Sequence, residues 1–207
     1  MAETKEEEFW NTLTHFFGLI LSLIGLPVLL YYDKALTAFS LHGILFFEFG
    51  LIFVYTASTL YHYTSNIELK KKFRVLDHIS IFYLIAGSYA PVCLITLYSG
   101  SGIKILAYVI LLAITGTLFK VFFTGKFDRL FLFLYLFMGW LIIIDFDSVL
   151  ELIPFNGILL LVLSGLLYSF GTIFYSLQKM KYSHAIWHVF VLGGSAAHYF
   201  VILFYVI

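Results

Sequence analysis

Seven apolar runs, each long enough to cross a lipid bilayer as a helix, occupy most of this chain: Leu13–Tyr32, Leu41–Tyr63, Val75–Tyr98, Ile103–Phe123, Leu130–Phe146, Phe155–Leu177 and Ala185–Ile207. A hydrocarbon layer of roughly 30 Å takes about 20 apolar residues at 1.5 Å rise per residue, and these runs meet that length. Charged residues are only 12% of the sequence against 62% hydrophobic, and they gather between the runs. No water is present in the layer to satisfy backbone N–H and C=O groups, so helices are the only sensible spanning element for a pattern like this. The sequence therefore predicts an all-α, seven-transmembrane helix bundle forming one domain over residues 1–207, with no room for a separate soluble domain.

Breakers mark the turns: Asp33-Lys34, Ser99-Gly100-Ser101-Gly102, Gly125-Lys126, Pro154 with Asn156-Gly157, and Tyr182-Ser183. Pro27 and Pro91 fall inside runs and predict local kinks. The single cysteine, Cys93, excludes an internal disulfide and reads as a packing residue. The abundant Phe and Tyr read as lipid-facing and inter-helix filling. Glu3, Glu6, Glu7 and Glu8 against Lys5 give a front end unlike the basic start of a signal peptide.

Zero net charge gives no bulk argument for nucleic acid or an acidic partner, so the charges inform only through position. Of the 12 basic residues, all but Lys34 and Lys104 fall on the amino-terminal side of the layer, among them Lys70, Lys71, Lys72, Arg74, Lys120, Lys126 and Lys181. The excess of Lys and Arg in cytoplasmic loops then predicts an amino terminus inside and a carboxyl terminus outside.

On that topology several polar residues share one depth near the inner leaflet. His62 ends the second run, Asp77 begins the third, and His184 and His188 open the seventh. A charge at the centre of a membrane helix costs about 2.5 to 3.5 kcal/mol on insertion scales, so a cluster of this kind needs compensation, and a bound metal supplies it. His184 and His188 are four apart, which stacks them on one helical face about 6 Å apart. With His62 they make the three-nitrogen set typical of catalytic zinc, leaving a fourth position open.

Asp77 has three readings: direct ligand, acceptor behind a ligand, or the carboxylate that holds and deprotonates a metal-bound water, the last preferred. Its plain alternative is a helix-start carboxylate favoured by the macrodipole, with Arg74 and Lys72 as solvated partners. Ser58 precedes His62 by one turn and is placed to orient Asp77 or the water, or to bond back to its own helix. His78 points away from Asp77 on a helix and reads as interfacial. His15, with Asn11 and Thr14, reads as supporting the site from below. Glu48 and His198 each lie 14 residues, or about 21 Å, outward from His62 and His184, and predict a second buried polar layer.

The runs Ala57-Ser58-Thr59-Leu60-Tyr61-His62, Leu76-Asp77-His78 with Ala86-Gly87-Ser88-Tyr89-Ala90-Pro91, and His184-Ala185-Ile186-Trp187-His188 through Gly193-Gly194-Ser195-Ala196-Ala197-His198 resemble the bacterial hemolysin III family. So does Glu8-x-x-Asn11-x-x-Thr14-His15. That family is similar to the adiponectin and progestin receptors (PAQR) and, more distantly, to alkaline ceramidases. The resemblance implies a multi-pass protein of the bacterial cell membrane, with zinc on His62, His184 and His188 and with Asp77 and Ser58 near the bound water.

Three functions are consistent with this sequence. The preferred one is a zinc-dependent, ceramidase-like hydrolase of an amide or ester in a lipid-like small-molecule substrate drawn from the membrane lipid. The second is a non-enzymatic sensor with structural zinc, and the third a cytolytic or pore-forming protein. No nucleic-acid partner is expected.

Overall fold

The protein is described by a computed structural model covering residues 3–177 and 179–207. Among these residues seven helical spans are long and apolar enough to cross a membrane: span 1, Lys5–Tyr32; span 2, Ser40–Tyr63; span 3, Ile67–Thr96; span 4, Gly102–Phe123; span 5, Asp128–Leu152; span 6, Phe155–Ser176; and span 7, Ser183–Val206. The expected all-α seven-span bundle is what the chain adopts. Short connections make consecutive helices antiparallel neighbours.

Span 1 starts two turns before its apolar stretch. Thr4 caps it by accepting from the Glu7 N–H at 3.2 Å, while the Glu7 carboxylate accepts from the Thr4 N–H at 2.8 Å. This reciprocal capping box satisfies two of the free donors at the helix start, and it carries the acidic residues into the fold as helix rather than as a loose tail. Span 3 likewise begins at Ile67, where the Asn66 side chain accepts from the Glu68 and Leu69 N–H groups. Asp77 is thus not in the first turn of its helix, as the sequence suggested, and the macrodipole explanation for it passes to Glu68.

Spans 2 and 3 lie so close that a Cβ at Gly50 would meet the Tyr83 carbonyl at 2.7 Å, and one at Gly87 the Phe46 carbonyl at 2.7 Å. Small residues let membrane helices approach backbone to backbone, where packing rather than the hydrophobic effect drives association. Pro27 sits within an uninterrupted α-helix, whereas Pro91 ends the α-helical part of span 3, which continues as a π-helical turn over Val92–Thr96.

Span 5 is the peripheral member. Over Asp128–Gly139 only Phe131 and Met138 are buried, and the helix breaks at Trp140 into a 3-10 turn, Leu141–Asp145. Tyr89 of span 3 meets the freed backbone groups. Its hydroxyl donates toward the carbonyls of Met138 (2.9 Å) and Gly139 (3.0 Å) and accepts from the Ile142 N–H at 2.9 Å. A break inside the hydrocarbon depth is tolerated where a neighbouring helix re-satisfies the backbone in this way. Tyr89→Phe removes that hydroxyl and leaves buried backbone groups unpaired. It is expected to lower stability by about 1 to 3 kcal/mol, read as a fall in thermal unfolding temperature in detergent relative to wild type.

Candidate metal centre

Local rules place the histidines at one end of the bundle. His62 occupies the last turn of span 2, and His184 and His188 are one turn apart at the start of span 7. Tyr182, just before span 7, adopts a left-handed conformation at φ 59, uncommon for a residue with a side chain, and its N–H is held by the Glu7 carboxylate at 3.2 Å. That contact fixes how span 7 enters the bundle, and with it where His184 points.

The three rings converge. Ring centroids lie 4.9 Å apart for His62 and His184, 5.2 Å for His62 and His188, and 4.6 Å for His184 and His188. One nitrogen from each lies within 4.8 Å of the others, a spacing a single ion can bridge. An oxygen of the amino-terminal segment lies near the Nδ1 of each ring. His62 Nδ1 is 2.7 Å from Glu8 Oε2, and His188 Nδ1 is 3.1 Å from both the Asn11 carbonyl and the Thr14 hydroxyl. His184 Nδ1 is 3.7 Å from Glu3 Oε1. Burial raises the Glu3 carboxyl above the usual carboxylate range, against the opposing pull of His62.

A metal fits these residues on an observation internal to the fold. His62 Nε2 is fully buried and has no hydrogen-bond partner. An unpaired buried imidazole nitrogen costs about 1 to 3 kcal/mol, and a cation shared with two further imidazoles is the partner its chemistry calls for.

Below the histidines lies a cavity of about 400 Å³ between spans 3, 5, 6 and 7. His184, His188, His15 and Asp77 form one end of its wall, and it continues past Ile85, Leu161 and Val191 to His198. Asp77 stands close to Ser58 and within electrostatic reach of His62. The Ser58 hydroxyl is fully buried without a partner, so its rotor is free to turn toward whatever Asp77 holds.

The supporting residues expected from the sequence take up defined places. His15 stacks on His188 with centroids 3.5 Å apart and planes at 15°, and the Asn11 amide lies 3.5 Å from His62 Nδ1. His78 is not interfacial. It is buried and lines the cavity, because span 5 covers it and Tyr135 donates to its carbonyl at 2.9 Å. Lys120, counted from sequence among the loop-side charges, is also buried. Its ammonium pairs with Asp128 at 3.2 Å and sits 4.1 Å above the Phe131 ring.

Glu48 and His198 are both buried, and they do not bond each other. His198 Nε2 is 2.9 Å from the Ser88 carbonyl, and its ring lies 5.7 Å from that of Phe47, the residue before Glu48. Both Glu48 oxygens lack partners. The sequence reading left out Glu3 and Glu8 as site residues. The available signal was the spacing of Glu8, Asn11 and His15, which repeats at i, i+3 and i+7 and so falls on one helical face.

Fold and site together define a class: a seven-span membrane protein in which spans 2 and 7 bring three histidines to one end of an apolar cavity. The chain belongs to the haemolysin-III-related family, whose model matches residues 3–199. It is 40% identical to Hemolysin-3 of Bacillus cereus over 100% of this chain and 95% of that protein. It is likewise 40% identical to the Hemolysin-3 homolog of Bacillus subtilis (strain 168), over 98% of this chain and 95% of that one. Human monocyte to macrophage differentiation factor is a more distant relative, 27% identical over 96% of this chain and 84% of its own length. The family resemblance read from the motifs is borne out, and these relatives indicate a multi-pass protein of the bacterial cell membrane.

Trp140 and Trp187 line the cavity, and the remaining tryptophan, Trp10, sits in the second turn of span 1 and does not line it. In a Trp10→Phe background, brominated alkyl chains are expected to quench tryptophan fluorescence with a saturable component. Val162→Phe, which fills the cavity wall, should remove that component while leaving the linear quenching by surrounding detergent.

Proposed function

We propose that this protein is a zinc-dependent hydrolase acting on an amide or ester bond of a lipid-like substrate, with the histidine end of the bundle on the cytoplasmic side. The observation that carries the reading is three imidazoles, one nitrogen each within 4.8 Å, two of which, His184 and His188, line an apolar cavity whose wall also holds a carboxylate. The distribution of basic residues supports the orientation.

His62, His184 and His188 would hold the ion. When bound there, zinc supplies Lewis acidity, polarising a carbonyl and acidifying a water toward about pH 7. Asp77 is not part of the group at common-ion distance, which supports an open fourth position over a closed structural site. The remaining steps fall to the chain itself. Asp77 takes the proton of the water that attacks the carbonyl carbon, and returns it to the departing nitrogen or oxygen as the acyl bond breaks. The Ser58 hydroxyl, buried and without another partner, is available to turn to the Asp77 carboxylate and orient it during the reaction. The cavity takes up an acyl chain against Leu161, Val162 and Val191 and keeps bulk water from the reacting atoms.

Metal analysis of purified protein coupled to a lipid-hydrolysis screen tests this reading. His188→Ala is expected to reduce bound zinc from near one ion per chain to near none. Asp77→Asn should keep zinc and lower turnover by about 10² to 10⁴-fold. Zinc retained with no hydrolysis in wild type would leave a structural ion in a sensor, and turnover that persists in the Asp77 variant would remove the proposed base.

A further inference from the structure

We propose that Glu8 is a positioning residue that fixes His62 in the tautomer able to bind metal, and that the Asn11 carbonyl does the same for His188. The inference rests on the metal reading above and goes beyond its ligand list.

An imidazole offers a lone pair to a metal only from the nitrogen that carries no proton, and that choice is set by what its other nitrogen meets. A carboxylate and a carbonyl can only accept. In the neutral ring His62 Nδ1, 2.7 Å from Glu8 Oε2, therefore carries the proton, and Nε2 is bare. That Nε2 is the same buried atom without a partner. His188 Nδ1, 3.1 Å from the Asn11 carbonyl, is fixed by the same argument. The nearest acidic oxygen to His184 Nδ1 is again on this segment, Glu3 Oε1 at 3.7 Å. Three rings from two other spans thus turn the same nitrogen toward one short stretch of span 1 and the residues before it.

Glu8 is itself anchored. Its other oxygen, Oε1, is 2.7 Å from Lys70 Nζ, and that ammonium also donates to the Tyr61 carbonyl at 3.0 Å. The sequence Lys70, Glu8, His62 runs from the start of span 3 through span 1 to the end of span 2. A carboxylate held between an ammonium and an imidazole N–H is fixed in orientation, and it raises the basicity of the nitrogen on the opposite side of the ring. Hydrophobicity places span 1 in the bilayer, and its first turns shape the centre.

Histidine ¹⁵N spectra of the metal-free protein, together with zinc affinity by chelator competition, test the assignment. In wild type the His62 signals should report a protonated Nδ1 and a bare Nε2. Glu8→Ala should shift that tautomer balance and weaken zinc binding by about 10 to 100-fold. Glu8→Gln keeps the shape, serves if the alanine variant does not fold, and should fall between wild type and alanine in affinity. Lys70→Ala should act in the same direction with smaller effect. Unchanged His62 tautomer and zinc affinity in both Glu8 variants would overturn the proposal. If wild type and His62→Ala bind zinc equally poorly, the metal reading fails, and the tautomer shift alone still decides the role of Glu8.

Discussion

Hydrocarbon offers a polar group nothing to bond, so each buried polar atom in a membrane bundle must find its partner within the protein or from a ligand. That requirement organises this molecule. Tyr89 closes the break in span 5, and Tyr168 and Ser195 pair at 2.8 Å between spans 6 and 7. At the histidine end the requirement is met from one side only. Each Nδ1 lies near an oxygen of the amino-terminal segment, while His62 Nε2 is buried without a partner.

The helices divide the work unevenly. Spans 2 and 3 meet backbone to backbone through Gly50 and Gly87 and form the rigid wall that carries Ser58, His62 and Asp77. Span 7 brings the other two histidines. Span 5, broken and largely unburied, closes the far side of the cavity with Tyr135, Trp140 and Ile143.

Much of this was legible beforehand. The spans follow from the length of the apolar runs, and the shared depth of His62, His184 and His188 follows from where they sit in those runs. Asp77 was assigned to the right end of the bundle and to the wrong part of its helix, because hydropathy marks where lipid begins rather than where hydrogen bonding begins. Asn66 caps span 3 well before the apolar stretch. His78 and Lys120 were misplaced for a related reason: both look interfacial by depth, and only the packing of span 5 buries them.

The sequence by itself determined the number of helices, their order, the end at which the polar residues collect and the family to which the chain belongs, since each is written in run length, local spacing or short motifs. Tertiary structure alone decided which oxygen meets which ring nitrogen. Glu8 and His62 are 54 residues apart, and Asn11 and His188 are 177 apart. No local rule relates such positions. In sequence the acidic start says only that it is unlike a signal peptide; packing span 1 against spans 2 and 7 gives Glu8 and the Asn11 carbonyl their ring-nitrogen partners.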